Sequence, residues 1–231
     1  MSGPAQDTTD LTNQLLAELR KPVCNAEKCI ALLNSGADST ACDGSKNTVL
    51  MIALNHAKKD LVQAILEKGG DIDAKDMYGK TALMRSCRHF SYDQVALLLA
   101  HGADPDIQDD DGKTALMHTI ICKRTNEALQ LIAHGANLDL QSYGAKNTAL
   151  MLAAAKSSHE HQQIINAIIE RSPDFDLKNV HGQTALIIAE AYNVPKNVAL
   201  IRIGHTKQAF RAAAARGTPK ARKIIRPRPQ H

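Results

Sequence analysis

Apolar residues in this chain fall into short runs separated by polar turns that carry glycine, and the runs return at a regular interval. Thr-x-Leu occurs at Thr48–Leu50, Thr81–Leu83, Thr114–Leu116, Thr148–Leu150 and Thr184–Leu186, in steps of 33, 33, 34 and 36 residues. A second marker keeps phase with it: Gly36-Ala37-Asp38, Gly69-Gly70-Asp71, Gly102-Ala103-Asp104, Gly135-Ala136-Asn137 and a degraded Ser172-Pro173-Asp174. Two independent markers sharing one period indicate a repeat architecture, in which each unit buries its apolar face against the next.

Residues 76–108 show what one unit predicts. Asp76-Met77-Tyr78-Gly79-Lys80-Thr81 reads as a turn running into a helix start. Gly79 can take the positive φ of a tight turn, and the Thr81 hydroxyl can cap the first free N–H groups. Ala82, Leu83, Ser86 and Cys87 give the small or apolar face of a short inner helix. A loop near His89–Asp93 follows, then an outer helix through Val95–Leu99 that ends at Gly102. Asp104-Pro105-Asp106 opens the extended hairpin to the next unit, and residues 109–141 copy the scheme. In the first and fourth units the glycine stands two places earlier, at Gly44 and Gly144, which predicts a hairpin tip of different shape. The fourth unit carries three extra residues, which the reading places between its helices in 156–163. Pro195 is expected to break the fifth unit. Two helices over 10–20 and 25–35 lack the Thr-x-Leu start and read as an N-terminal capping pair.

Period and residues together resemble the ankyrin repeat. The resemblance implies an all-α-dominated solenoid of stacked helix-turn-helix units joined by β-hairpin loops. Its expected divisions are a disordered N-terminus (1–9), the capping pair (10–42), about five repeats with the last degenerate (43–203), and a basic C-terminal helix and tail (204–231). The family usually has Thr-Pro-Leu-His at the inner-helix start; this chain has Thr-Ala-Leu-Met three times, Thr-Val-Leu-Met once and Thr-Ala-Leu-Ile once. Methionine exchanges an inter-repeat hydrogen bond for packing, so looser repeats are expected. The variant is similar to ankyrin proteins of intracellular bacteria, which implies an effector acting in a host cell.

Composition narrows the function. No stretch approaches the ~18 apolar residues of a membrane span, and the first residues have no basic start or apolar core of a signal peptide. Five widely spread cysteines, an odd number, read as free thiols of a reducing compartment, so a cytoplasmic location is expected, with the host cytosol or the nucleus as variants. From Ile201 onward there are nine basic and no acidic residues, which leaves 19 basic against 24 acidic in the remainder. The net charge of +4 therefore hides an acidic solenoid and a basic tail, the latter expected to begin as a helix over 205–216 and to be disordered after Gly217. The tail can be a solvated end, a nuclear-import or nucleic-acid-binding segment, or an export or partner-binding arm.

Catalytic and metal chemistry finds little support. His101 and His134 recur because the repeat recurs, and a helix end favours them. His159-Glu160-His161 is too few ligands for zinc. Asp109-Asp110-Asp111 lacks the alternation of a calcium loop. The reading is therefore a non-enzymatic, monomeric protein-binding module, adaptor or inhibitor, with no cofactor. Its partner is a protein held on the concave face, or alternatively nucleic acid held by the tail. The resemblance places that face at Met77, Tyr78, Lys80, Arg88 and His89 in the second repeat, and at Asp110, Asp111, Lys113, Ile121 and Cys122 in the third. In the first and fourth it adds Ser45, Asn47, Asn55, His56, Asn147 and Lys156.

Overall fold

The computed structural model describes residues 7–56, 58–89 and 92–215, without the side chains of residues 88, 89, 92 and 215. Twelve helices are arranged in antiparallel pairs among these residues. The first pair is α1 (Thr8–Leu19) and α2 (Ala26–Asn34). Five inner helices follow: α3 (Val49–Leu54), α5 (Ala82–His89), α7 (Ala115–Ile121), α9 (Ala149–Ala154) and α11 (Ala185–Ala191). Each is paired with an outer helix: α4 (Lys59–Glu67), α6 (Tyr92–Ala100), α8 (Thr125–Ala133), α10 (His159–Glu170) and α12 (Pro195–Ala215). The hairpins between repeats form no strand among the described residues, and their one isolated β-bridge pairs Cys42 with Thr48.

The Thr-x-Leu marker sets every inner helix. Thr48, Thr81, Thr114, Thr148 and Thr184 each accept, on the hydroxyl, the N–H three residues on, at 3.2–3.4 Å. That satisfies one of the orphan donors of a helix start. The leucine of the marker and the methionine after it point into the stack: Leu50, Leu83, Leu116 and Leu150, with Met51, Met84, Met117 and Met151, are all buried. Each such side chain contributes about 1.5–3 kcal/mol by leaving water.

Methionine packing is not all that joins the repeats of this core. Besides the buried methionines, hydrogen bonds tie the repeats together through polar side chains that the family signature does not mention. Gln94 on α6 donates to the Leu54 carbonyl at the end of α3, 3.0 Å away. His161 on α10 does the same for Ile120 of α7 at 3.1 Å, and its other ring nitrogen accepts from Ser158 Oγ at 2.7 Å. Asn197 on α12 reaches the carbonyls of Ala154 (3.0 Å) and Lys156 (2.7 Å) beyond α9. All three stand thirteen residues after a marker threonine. They satisfy C-terminal carbonyls that the preceding inner helix leaves open.

Several boundaries depart from the sequence reading. α1 starts at Thr8, because the Asp7 carboxylate caps the Thr9 N–H at 3.2 Å, so order begins before the expected residue 10. The three extra residues of the fourth repeat do not lengthen the loop between its helices. They lengthen α10, which has 12 residues where α4, α6 and α8 have 9. Pro195 breaks nothing: it is the first residue of α12, where its missing N–H costs no hydrogen bond. The helix expected from residue 205 is the second half of α12, which runs unbroken for 21 residues to Ala215. Residues 1–6 and 216–231, which include most of the predicted disordered N-terminus and all of the segment after Gly217, lie outside the described residues.

Candidate protein-binding surface

Each hairpin tip is built around one polar side chain. Asp76 Oδ1 accepts the backbone N–H groups of Tyr78 (2.8 Å) and Lys80 (2.9 Å). Asp109 Oδ1 likewise takes those of Asp111 (3.1 Å) and Lys113 (2.8 Å). Asp43 and Asn179 repeat the pattern for Ser45 and Asn47, and for His181 and Gln183. The second oxygen of each buried aspartate is held from the inner helix below, Asp76 by Arg85 Nε at 3.1 Å and Asp109 by His118 Nε2 at 2.7 Å. These bonds fix the tip on its helix.

Tip residue two before the marker threonine has positive φ in every repeat: Lys46 (58°), Gly79 (71°), Gly112 (74°), Lys146 (52°) and Gly182 (72°). In the first repeat the expected change of tip shape is absent, Lys46 N–H donating to the Asp43 carbonyl as Gly79 does to Asp76. The fourth tip differs as expected: it has one more residue, and Lys146 N–H donates to the Ser142 carbonyl four residues back. Lysine takes the left-handed conformation in both, while Gly44 and Gly144 are not among the positive-φ residues. Glycine is demanded at two of the tips by their neighbours as well. A Cβ on Gly79 would stand 2.8 Å from the Asp110 backbone nitrogen, and one on Gly112 would stand 2.6 Å from the Tyr143 ring.

Successive tips are joined by single backbone hydrogen bonds. Met77 N–H donates to Ser45 (3.2 Å), Asp110 to Tyr78 (3.3 Å), Tyr143 to Asp111 (2.9 Å) and Val180 to Ala145 (3.1 Å). Side chains reinforce the row from beneath: Gln108 bonds the carbonyls of Gly112 and Gln141, and Gln141 those of Lys146 and Lys178. The result is a ledge whose outward residues are apolar, then acidic, then apolar. Met77, Tyr78, Tyr143 and Val180 are all more than half exposed, with exposed Asp110 and Asp111 between them.

The structure brings part of the expected set together on this ledge. Met77, Tyr78, Asp110 and Asp111 are on it, and two lysines are engaged within it. Lys80 lies 5.7 Å from the centre of the Tyr78 ring, a cation–π distance, and Lys113 pairs with Asp111 at 2.6 Å, which holds that carboxyl below its ordinary value. Ser45 is exposed at the tip, whereas Asn47 and Asn147 are half-buried and bonded to Asp43 and Asn179. Ile121, Cys122, Asn55 and Lys156 form a second group at the C-terminal ends of inner helices. Ile121, Asn55 and Lys156 are exposed there. His56 turns away to the Leu19 carbonyl at 2.6 Å. The side chains of Arg88 and His89, and the neighbouring Phe90, lie outside the described residues. Tyr143 escaped the sequence reading because its unit carries the shifted glycine. Its signal was an aromatic at a tip of a chain with few aromatics.

No three metal-ligating side chains gather among the described residues, and both ring nitrogens of His161 are already bonded. No described helix is long and apolar enough to cross a membrane. No curated protein sequence matches the chain. Among solved structures, the crystal structure of the ankyrin repeat domain of Bcl-3, a member of the IkappaB protein family, is similar with a TM-score of 0.70 and 25% sequence identity, over 83% of this chain and 81% of that one. The sequence profile described as ankyrin repeats (3 copies) matches residues 21–109 and 91–179. The chain belongs to the ankyrin-repeat family, a scaffold for protein interaction.

Proposed function

We propose that this protein is an adaptor or inhibitor that acts by occupancy, holding a partner protein across the hairpin ledge and concave face of repeats two to four. The observation that carries the reading is the row of exposed Met77, Tyr78 and Tyr143 on tips tied to one another through the backbone. Aromatic anchors on a pre-organised surface lose little freedom on binding, which is the usual character of an interface hot spot. The acidic pair Asp110 and Asp111 between them favours a partner segment with cationic and apolar side chains in alternation. A role as an effector in a host cell rests on the Thr-Ala-Leu-Met variant alone.

Affinity capture from cell lysate tests this with the full chain and a Tyr78→Ala/Tyr143→Ala variant. A partner protein held by the full chain and weakened about tenfold or more in the variant supports the ledge. Retention that survives the variant, falls steeply with salt and disappears on nuclease treatment supports nucleic-acid binding by the tail instead. The described basic residues of α12 are partly engaged already, Arg202 with Glu190 at 2.6 Å and Arg211 with Ser172 Oγ at 3.3 Å.

A further inference from the structure

We propose that Cys24 and Cys29 form a redox-active dithiol, which a small-molecule disulfide of the glutathione class converts to an intramolecular disulfide. The pair arises from helix capping. Asn25 is the N-cap of α2, its side chain accepting the Lys28 N–H at 3.0 Å. Cys24 therefore stands just before the cap and Cys29 is the fourth residue of the helix. Those two positions meet in a hydrophobic staple, normally made of larger apolar residues. In this chain both members are cysteine. They are 5% and 0% exposed, and each thiol is near enough to shift the other's proton affinity. The other cysteines have no such neighbour by sequence: Cys42 is exposed on the first hairpin, Cys87 is buried in α5, and Cys122 caps α7.

Charged groups surround the staple. Glu18 accepts from Lys21 (2.6 Å), from the Asn25 N–H (3.2 Å) and pairs with Lys28 (3.3 Å), so one buried carboxylate holds the turn that leads into α2. Those donors, Lys21 first, hold it down at about 2. Lys58 acts on Cys24 across the loop. Burial raises both thiols, Cys29 to about 11, so thiolate is scarce and exchange is slow, and it gathers speed as pH rises. Cys24 is the sulfur of first attack, being 5% exposed where Cys29 is fully buried.

The exchange balances in two steps. Cys24 loses its proton and attacks one sulfur of the disulfide RSSR, forming a mixed disulfide and expelling RS⁻, which takes up that proton. Cys29 then loses its proton and attacks the Cys24 sulfur, forming the Cys24–Cys29 bond and expelling a second RS⁻, which is protonated in turn. The dithiol is oxidised by two electrons, and RSSR is reduced to two RSH. The product covalently closes the staple of α2, the helix on which α4 and the repeat array are stacked.

The inference is independent of the partner-binding reading, and its test uses the intact, folded chain. The chain is incubated with glutathione disulfide, its remaining thiols are blocked, and it is cut with trypsin. Cleavage after Lys28, with a second cut before Asp38 by an Asp-specific protease, separates Cys29 from both Cys24 and Cys42, so peptides 21–28 and 29–37 stay joined only if the Cys24–Cys29 bond has formed. The expected result is that joined product, separated by dithiothreitol, with loss of two thiols beyond that of exposed Cys42. Two results overturn the proposal: Cys24 and Cys29 remaining as thiols when Cys42 is fully modified, or each carrying its own glutathione. A Cys29→Ser chain adds a second readout, trapping glutathione on Cys24. Because the wild-type result stands alone, the test does not depend on that variant folding.

Discussion

Residues that hold the left-handed conformation without being glycine mark where this chain is strained. Lys46 and Lys146 do so at hairpin tips, and Ser172 (φ 55°) does so where Gly36, Gly69, Gly102 and Gly135 end the earlier outer helices. A side chain in that conformation costs ~1 kcal/mol. Lys146→Gly and Ser172→Gly are each expected to stabilise the fold by about 0.5–1 kcal/mol, the gain being trimmed by the greater freedom of glycine in the unfolded chain. Urea unfolding midpoints check this, and an unchanged or lower midpoint contradicts it. The sequence showed where glycine had moved but not that lysine takes over the left-handed φ two places before the threonine, because that φ is imposed by the hydrogen bonds of the turn and by the preceding tip.

His161 gives a second residue-level test. Burial holds its imidazole below the ordinary value of 6.5, so the folded state keeps it neutral while the unfolded chain takes up a proton near that value. The associated stability is complete above the ordinary value and is lost as pH falls through it toward the depressed folded value. Unfolding midpoints measured between about pH 8 and pH 5 are expected to fall at the acid end, and His161→Gln is expected to flatten that slope. An unchanged slope in the variant contradicts the assignment.

At the scale of elements, α12 is the least legible part of the chain and the most informative. A glycine at 204 and a proline at 195 suggest two pieces, yet the helix is continuous. Gly204 is required for approach rather than for a break: a Cβ there would stand 2.5 Å from Ile169 Cγ2 and 3.0 Å from the Phe175 ring. Past that point Gln208 donates to the Pro173 carbonyl at 3.1 Å, and the His205 ring lies 5.4 Å from that of Phe175. The second half of α12 thus covers the last hairpin. Gly204→Ala is expected to destabilise by about 1–3 kcal/mol through overpacking, although alanine is by itself the better helix former by ~1 kcal/mol. A rise in stability would show that the contact is dispensable. Inner helices, by contrast, were legible nearly to the residue, since each begins at a threonine whose cap is local. Gln94, His161 and Asn197 were not, since a buried polar residue acquires its meaning only from the repeat stacked against it.

At the scale of the whole molecule, the last repeat differs from the others on its outer face. The place held by buried Leu54, Cys87, Ile120 and Ala154 in the first four repeats is taken by exposed Glu190. The register of buried Leu99 and Ile132 is taken by Arg202, and the two are joined in an ion pair. Ile187, in the methionine position, is 43% exposed. Charge on an otherwise apolar stacking face disfavours further stacking, as a terminal repeat requires. A Glu190→Leu/Arg202→Leu variant is therefore expected to associate end to end. Sedimentation velocity would show a concentration-dependent rise in mass absent from the parent chain, and a variant that stays as the parent does would contradict the account.

The central claim is that a ledge of linked hairpin tips receives a partner protein. Hydrogen–deuterium exchange on the chain alone and with its captured partner tests it most directly. The account predicts new protection at the tips over residues 76–81, 109–114 and 142–148, with the outer helices unchanged. Protection confined to α12 and the residues beyond it, with the tips unaltered, would contradict it.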